Sequence, residues 1–208
     1  MSTPFYKTAR QHLARNCPVM KRLIARVGPC TLTPNPGDPF TLLVRSVISQ
    51  QISTKAAASI FGRLAALVGG PPILMAKMVR LTDAKFKACG VSGPKQRTLR
   101  AVIDYVKANP ALLPGIETRD DETIREQLTE IKGIGPWSAD MFLIFAIGKP
   151  DVLPVGDFGF KMAVKNQFRL RKVPASERLI KIGEPWRPYR SIATWYLWRS
   201  LDPKYQDE

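Results

Sequence analysis

Cysteine and histidine are scarce in this chain, and their scarcity excludes several classes of site. The three cysteines, Cys17, Cys30 and Cys89, are odd in number and far apart, which argues against a disulfide framework and against a zinc site. The single histidine, His12, lies in a basic N-terminal segment, so neither a histidine-rich metal site nor a Ser–His triad is expected. The chain also lacks an apolar run of about 18 residues and the hydrophobic region of a signal peptide. We therefore expect a cytoplasmic protein with reduced thiols and no membrane partner.

Acidic residues are few relative to basic ones, and no segment shows the alternating pattern of a β-strand. There are 32 Lys and Arg against 17 Asp and Glu, which gives a formal net charge of +15 over 208 residues. A surface this basic attracts nucleic acid through phosphate contacts and counterion release, although a ribosomal or merely basic protein would carry the same charge. Hydrophobic residues make up 45% of the chain, enough for a sizeable core. The periodicity predicts an all-α fold with about ten helices.

The most informative stretch begins with a tight turn between two helical patterns. The turn is Lys132, Gly133, Ile134 and Gly135, and Pro136 follows it. The glycines permit positive φ and a close approach of another backbone, and proline suits the first position of a helix. Amides at such a helix start stabilise an anion such as phosphate. An ordinary helical hairpin closed by glycines would show the same local pattern.

A nearly all-apolar segment, predicted to be helical from Pro136 to Ile147, follows the turn, and a loop then leads to one carboxylate. That carboxylate is Asp157, in the tetrapeptide Pro-Val-Gly-Asp, at the start of another predicted helix. The positive end of the helix dipole should keep the group ionised. A capping aspartate with no chemical role would look the same in the sequence.

Three features together form a composite motif: an isoleucine between two glycines, a helix that opens Trp-Ser-Ala-Asp, and the Asp in Pro-Val-Gly-Asp. This motif resembles the helix-hairpin-helix glycosylase superfamily (HhH-GPD), which removes damaged bases from DNA. The closest resemblance is to its AlkA-type branch, the bacterial 3-methyladenine DNA glycosylase II enzymes, over roughly residues 38–201. Lys132 stands where the family usually has proline, and we interpret it as an additional cation near phosphate.

The resemblance implies a helix-hairpin-helix glycosylase fold of two helical lobes with a central cleft. We predict a single glycosylase unit over residues 1–208, with the hairpin-containing lobe at approximately 39–168 and the other lobe formed by 1–38 and 169–208. Some relatives carry a four-cysteine iron–sulfur loop near the C-terminus, which is not expected here because no cysteine follows Cys89. Some AlkA-type enzymes carry an N-terminal β-domain, and residues 1–35 are too few and too helical for one.

Excision of a base breaks an N-glycosidic bond through a transition state in which the sugar gains positive charge. A fixed carboxylate beside the sugar stabilises that charge and can orient or deprotonate water. The resemblance implies that Asp157 has this role. The target base is inaccessible within the duplex, so it must be flipped out before reaction.

The resemblance also implies a base pocket. Relatives that cut the DNA backbone have a nucleophilic lysine two residues after the second hairpin glycine; here that position is Trp137, so the chain resembles a monofunctional glycosylase. In the AlkA-type branch a tryptophan at this place lines the pocket, and Trp198 aligns with another pocket tryptophan. Met141 replaces a pocket tyrosine and affects the expected substrate range. From the sequence alone, tryptophans on a last helix such as Trp195 and Trp198 are more often core residues.

DNA contacts are expected at the hairpin and at two other places. Lys132 and the hairpin amides would hold phosphates without reading sequence. Gln50 and Gln51 form a corner between helices that could be a solvated turn, but in HhH-GPD enzymes this corner faces DNA, and a residue at about Gln51 wedges into the duplex. Lys95 lies in a cationic first helical turn that opposes the helix dipole, which indicates either a bound phosphate or a solvated face.

No organic cofactor is expected. In relatives, carbonyl oxygens of the hairpin hold a monovalent cation, Na⁺ or K⁺, beside the phosphate. These carbonyls correspond to Thr129, Ile131 and Ile134 of this chain.

The sequence thus predicts a monomeric, monofunctional glycosylase that excises 3-methyladenine and 7-methylguanine from damaged double-stranded DNA, in the cytoplasm and associated with the nucleoid. The alternatives are a non-catalytic helix-hairpin-helix DNA-binding module and a glycosylase of different lesion specificity. Asp157 argues against a pure binder, which needs no such carboxylate. A basic helical scaffold or RNA-binding protein would explain the charge but not the motif.

Overall fold

The computed structural model describes residues 3–34 and 37–205, and these residues are helical with no β-strand among them, which confirms the all-α prediction. Twelve α-helices occur in the described residues, two more than the approximate number expected. Their bounds are α1 (Thr3–Asn16), α2 (Pro18–Val27), α3 (Pro39–Ser49), α4 (Thr54–Leu67), α5 (Met75–Val79), α6 (Asp83–Ala88), α7 (Gly93–Ala108), α8 (Asp121–Thr129), α9 (Pro136–Met141), α10 (Phe158–Gln167), α11 (Ser176–Gly183) and α12 (Arg190–Arg199).

Short helical segments of other types complete the secondary structure. A π-helix, Phe142–Ile147, continues α9, and 3₁₀-helices cover Ile116–Thr118, Glu184–Trp186 and Pro203–Tyr205. The single α-helix expected from Pro136 to Ile147 is therefore wrong in its second half. An apolar run does not distinguish hydrogen bonds to the fourth preceding residue from bonds to the fifth, so the sequence carried no signal for this change.

The chain divides into two compact units. The continuous unit is Asn35–Ile147, and the discontinuous unit consists of Met1–Pro34 and Gly148–Glu208. The second boundary therefore lies at 147/148 rather than at the expected position near residue 168. The reason is the packing of α10, which buries Phe160, Ala163 and Val164 and contacts α12 of the discontinuous unit.

Helix α3 lies at the centre of the continuous unit. Asp38 caps it, since the carboxylate accepts a hydrogen bond from the Thr41 amide at 3.0 Å, and an Asp followed by Pro is a typical helix start. The helix packs against α4, α7, α9 and the π-helix, and its apolar face is buried: Phe40, Leu43, Val44, Val47 and Ile48. The prolines and glycine of the segment Thr33–Gly37 predict a break before this helix, and two residues of that segment, Asn35 and Pro36, lie outside the described residues.

Helix α12 is the core of the discontinuous unit, where it packs on α2 and α10. Tyr196 is fully buried and its hydroxyl donates to the Gly28 carbonyl oxygen at 2.8 Å. Trp186, just before α12, is also fully buried, with the ring of Phe160 edge-on at a centroid distance of 6.4 Å. The contact of Phe160 with Trp186, together with the packing of α10 on α12, holds the start of α10 in place.

Candidate active site

Asp157 is the N-cap of α10, as predicted. Its Oδ1 accepts a hydrogen bond from the Phe160 amide at 2.6 Å, which satisfies an amide that the helix itself leaves without a partner. The same oxygen accepts a second hydrogen bond, from the indole Nε1–H of Trp198 at 2.8 Å. The structure therefore brings Trp198 and Asp157 together within the discontinuous unit. The two hydrogen bonds fix the direction of the carboxylate, and Asp157 and Trp198 both remain partly exposed.

The loop that carries Asp157 is fastened to the first turn of α12. Ser191, which is fully buried, donates its hydroxyl to the Lys149 carbonyl oxygen at 2.7 Å and accepts from the Val152 amide at 3.0 Å. Asp151 accepts from Arg190 Nε at 2.8 Å and from Arg187 Nη1 at 3.0 Å. Such charge-assisted bonds are among the stronger ones in proteins, so this clamp holds the loop that leads to the carboxylate.

Sequence reasoning missed this clamp. The two sides of it are separated by 39 residues in the chain, and neither shows a periodic pattern that would pair them. The weak signal available was Asp151 itself, an acidic residue between Pro150 and Pro154 in a basic chain.

The hairpin turn lies between α8 and α9 in the continuous unit. Gly133 adopts φ +95°, in the left-handed region that favours glycine, and a Cβ there would lie 2.1 Å from Oγ1 of Thr98 on α7. Gly135 is the N-cap of α9 and has no such neighbour: a Cβ there would meet nothing within 4 Å. The first glycine is therefore needed for packing, whereas the second leaves the start of α9 open, as a phosphate-binding turn requires.

A buried ion pair ties the two hairpin helices together. Asp140 on α9 accepts from Nε of Arg125 on α8 at 2.9 Å, and its side chain is only 6% exposed. Burial raises the pKa of the Asp140 carboxyl, and the nearby guanidinium acts in the opposite direction. Asp140 is the single charged residue between Pro136 and Ile147, and an isolated charge in an apolar helix was the signal for a buried partner.

The two glutamines at the end of α3 have different environments. Gln50 is bound to the hairpin, because its Nε2 donates to the Gly133 carbonyl oxygen at 3.2 Å and to Ser138 Oγ at 2.9 Å. Gln51 is exposed and adopts φ +55°, a conformation that non-glycine residues rarely hold. The structure thus joins the Gln50 side chain to the hairpin and presents Gln51 to solvent; DNA contacts by either residue stay predictions.

Lys95 lies in the first turn of α7, and its ammonium group donates a hydrogen bond to the Ile48 carbonyl oxygen of α3 at 2.7 Å. Burial lowers the pKa of Lys95. This bond gives Lys95 a partner within the protein, and a DNA contact by Lys95 stays a prediction. Lys132 is exposed in the hairpin turn.

The remaining candidates lie in the continuous unit. Trp137 and Met141 are on α9, one turn apart, and both are partly exposed. Thr129 ends α8, and the Ile131 carbonyl oxygen accepts from the Ile134 amide at 2.9 Å. Carbonyl oxygens are the donors that hard monovalent ions prefer, so the turn has suitable chemistry for the expected cation. Among the described residues, no group of three or more His, Cys, Asp or Glu could hold a metal ion.

The all-α fold, the glycine hairpin and the hydrogen-bonded capping aspartate that follows it in the chain are the features expected of helix-hairpin-helix DNA repair proteins. The family model for the HhH-GPD superfamily base excision DNA repair protein matches residues 44–188. The chain belongs to this superfamily.

Known proteins similar to this chain include two from Schizosaccharomyces pombe. The alkylbase DNA glycosidase-like protein mag2 is 33% identical over 199 residues, which cover 93% of each chain. The solved structure of 3-methyladenine DNA glycosylase (Mag1) in complex with abasic DNA has a TM-score of 0.81 at 31% identity, with 96% of this chain and 100% of that chain covered. The DNA-3-methyladenine glycosidase of Bacillus halodurans has a TM-score of 0.74 at 33% identity, with 90% of both chains covered.

Proposed function

We propose that this protein is a monofunctional DNA glycosylase that excises alkylated purines, 3-methyladenine and 7-methylguanine, from double-stranded DNA. The observation that carries the proposal is the fixed carboxylate of Asp157, whose Oδ1 accepts hydrogen bonds from the Phe160 amide and the Trp198 indole. The names of the similar proteins support the same class of substrate.

In this mechanism the carboxylate acts on the sugar. As the glycosidic bond breaks, positive charge develops on the deoxyribose ring, and a preoriented carboxylate stabilises that charge without having to reorganise. Asp157 can also orient or deprotonate the attacking water. Methylation at purine N3 or N7 leaves the base electron-poor and easily displaced, so little acid assistance is needed.

An electron-rich indole suits such a base. Cation–π attraction between a methylated purine and a tryptophan face contributes about 0.5–2 kcal/mol, depending on desolvation. We propose this contact for Trp198, while the pocket roles of Trp137 and Met141 rest on the resemblance. Neutral lesions such as uracil and 8-oxoguanine would be attracted less strongly to the tryptophan face and should be released more slowly.

DNA is held mainly through its phosphates. The open start of α9 at Gly135 and the exposed Lys132 are the proposed backbone contacts, with Gln51 as the residue that fills the space left by the flipped base. A monovalent cation bound by the carbonyls of Thr129, Ile131 and Ile134 would supply further positive charge at the same phosphate. Affinity should therefore fall linearly on a log–log salt plot, with a slope of about −0.9 per phosphate neutralised.

The proposed site of action is chromosomal DNA, in the cytoplasm and associated with the nucleoid, and the proposed active form is a monomer. Among the described residues, no helix has the length and apolar character needed to cross a membrane.

The decisive experiment compares Asp157→Asn with the unaltered protein in single-turnover release of 7-methylguanine and 3-methyladenine from methylated DNA. We expect excision to be abolished while binding to abasic-site DNA persists. Asp120→Asn is the matched control, because Asp120 is also an N-cap, accepting from the Glu122 and Thr123 amides, and asparagine caps equally well. Near-normal excision by Asp157→Asn would refute the catalytic assignment, and a protein that binds abasic DNA but releases no base would be a non-catalytic module.

The monofunctional character has its own test. With Trp137 at the position of the lyase lysine, the abasic product should remain intact and borohydride should trap no covalent adduct. A trapped adduct would show that another lysine acts as a nucleophile.

A further inference from the structure

We propose that Trp198 positions the catalytic carboxylate through its indole N–H, in addition to offering an aromatic face to the base. This inference rests on the proposed function of Asp157. Only the ring face of Trp198 was expected to matter, whereas the structure directs the N–H edge at Asp157 Oδ1, at 2.8 Å.

Two donors converge on one oxygen of the carboxylate. The Phe160 amide and the Trp198 indole approach Oδ1 from different elements, the start of α10 and the last turn of α12. A single donor leaves the carboxylate free to rotate about the Cβ–Cγ bond, whereas two donors in fixed directions restrict that rotation. They thereby set the direction in which the second oxygen, Oδ2, points. A carboxylate whose direction is fixed before the substrate binds needs no reorganisation as charge develops on the sugar.

The chain is shaped to allow this contact. Gly159, two residues after Asp157, lies close to both side chains: a Cβ there would be 3.3 Å from Asp157 Oδ1 and 3.6 Å from Trp198 Cδ1. Its φ is not in the left-handed region, so the backbone conformation does not require glycine. The absent side chain instead leaves room for the indole and the carboxylate to approach each other.

Trp198 itself is anchored by α12. The helix carries seven consecutive buried residues, Ser191 to Leu197, immediately before it. The same helix fastens the other end of the Asp157 loop through Ser191. One rigid element therefore holds both the loop and the donor that orients the carboxylate.

Two variants separate positioning from stacking. Trp198→Phe keeps an aromatic face but has no N–H, and Gly159→Ala keeps the whole indole while placing a methyl group against the carboxylate and the ring. Gly156→Ala is the matched control, since it lies in the same loop and a Cβ there would meet nothing within 4 Å. Alanine also favours a helix more than glycine does, so Gly159→Ala should not weaken α10 through propensity.

The first measurement is single-turnover excision of 7-methylguanine, with abasic-DNA affinity and thermal unfolding alongside. We expect Trp198→Phe to slow excision roughly tenfold, the effect of losing a hydrogen bond to a charged group, and Gly159→Ala to slow it several-fold. Affinity for abasic DNA and the unfolding temperature should stay near those of the unaltered protein in both variants, and Gly156→Ala should be unaffected.

Excision at the normal rate in both variants would overturn the inference. So would a loss confined to Trp198→Phe, because that pattern indicates stacking by the ring face. If the unaltered protein released no base at all, the proposed function would fail, and this outcome is distinct from either of the others.

The second measurement does not depend on activity. The indole N–H proton of Trp198, assigned by its disappearance in Trp198→Phe, should resonate downfield in NMR spectra because it is bound to a carboxylate. We expect Asp157→Asn and Gly159→Ala to shift it upfield and Gly156→Ala to leave it in place. A resonance that is the same in all of these variants would refute the hydrogen bond in solution.

Discussion

Replacing Gly133 by alanine should destabilise the protein strongly, and the structure permits an approximate value. At φ +95° an L-residue pays about 1–2 kcal/mol for the left-handed conformation. The new Cβ would lie 2.1 Å from Thr98 Oγ1 and 3.0 Å from Thr98 Cβ, and forcing extra atoms into a packed site costs about 1–3 kcal/mol more. The expected loss is therefore about 2–5 kcal/mol, a large fraction of the roughly 5–15 kcal/mol that holds a typical domain folded.

Thr98 cannot simply move aside to accept the methyl group. It is only 7% exposed on α7, and its hydroxyl donates to the Pro94 carbonyl oxygen at 3.2 Å. Thr98→Ala removes Oγ1 but leaves its own Cβ in place. The double variant Gly133→Ala, Thr98→Ala should therefore recover part of the loss, and the two single effects should not add.

Gly135→Ala is the matched control two residues away. Gly135 has φ −97°, and a Cβ there would meet nothing within 4 Å. Stability should fall by no more than about 1 kcal/mol, the difference between glycine and alanine at an N-cap. The added methyl group would, however, occupy the open start of α9, so affinity for abasic DNA should fall while the fold persists.

The assay is urea unfolding followed by circular dichroism, with the midpoint and slope compared among the variants. A normal midpoint for Gly133→Ala would refute the argument that the turn needs glycine for its conformation and its approach to α7. An equal loss in Gly135→Ala would also contradict it, since nothing in its surroundings predicts one.

Three further predictions follow from other contacts. Lys95→Gln loses the hydrogen bond from the ammonium group to the Ile48 carbonyl oxygen, and the free energy of unfolding measured in urea should fall by about 1.5 kcal/mol. An unchanged free energy of unfolding, with a weaker dependence of DNA affinity on salt, would instead indicate a phosphate contact. Burial raises the pKa of Cys30 to about 11, so at pH 8 its thiolate fraction is roughly a hundredfold lower than usual. Iodoacetamide at that pH should therefore label Cys30, as followed by mass spectrometry, only after unfolding. Asp151→Asn should weaken the hydrogen bonds from Arg190 and Arg187 by about 2 kcal/mol and slow base excision, with Asp202→Asn as the control. An unchanged excision rate would show that the position of the Asp157 loop does not depend on the Asp151 carboxylate.

Much of the site could be predicted because its signals are local. The capping of α10 by Asp157 and of α3 by Asp38 depends on residues within one turn of each carboxylate. The positive φ of Gly133 likewise reflects a turn of a few residues. Helix starts and turns are set by neighbours in the chain, which any single sequence displays.

The division of the chain was less predictable. Residues 148–168 were expected with the hairpin because they follow it directly, but α10 buries its apolar face against α12. The π-helix at Phe142–Ile147 was also invisible, since its residues are apolar in either type of helix. Sequence periodicity shows that a face is apolar and does not show which element will cover it.

The sequence by itself thus determined the all-α class, the glycine hairpin, the family and the single capping carboxylate proposed to do the chemistry. The tertiary structure decided which side chains support those parts. Gln50 reaches Gly133 across 83 residues of sequence, and Trp198 reaches Asp157 across 41. Hydrogen bonds between such distant positions cannot be predicted from periodicity or from neighbouring residues in the sequence. Each donor has many possible acceptors until packing of the apolar faces brings one of them within reach.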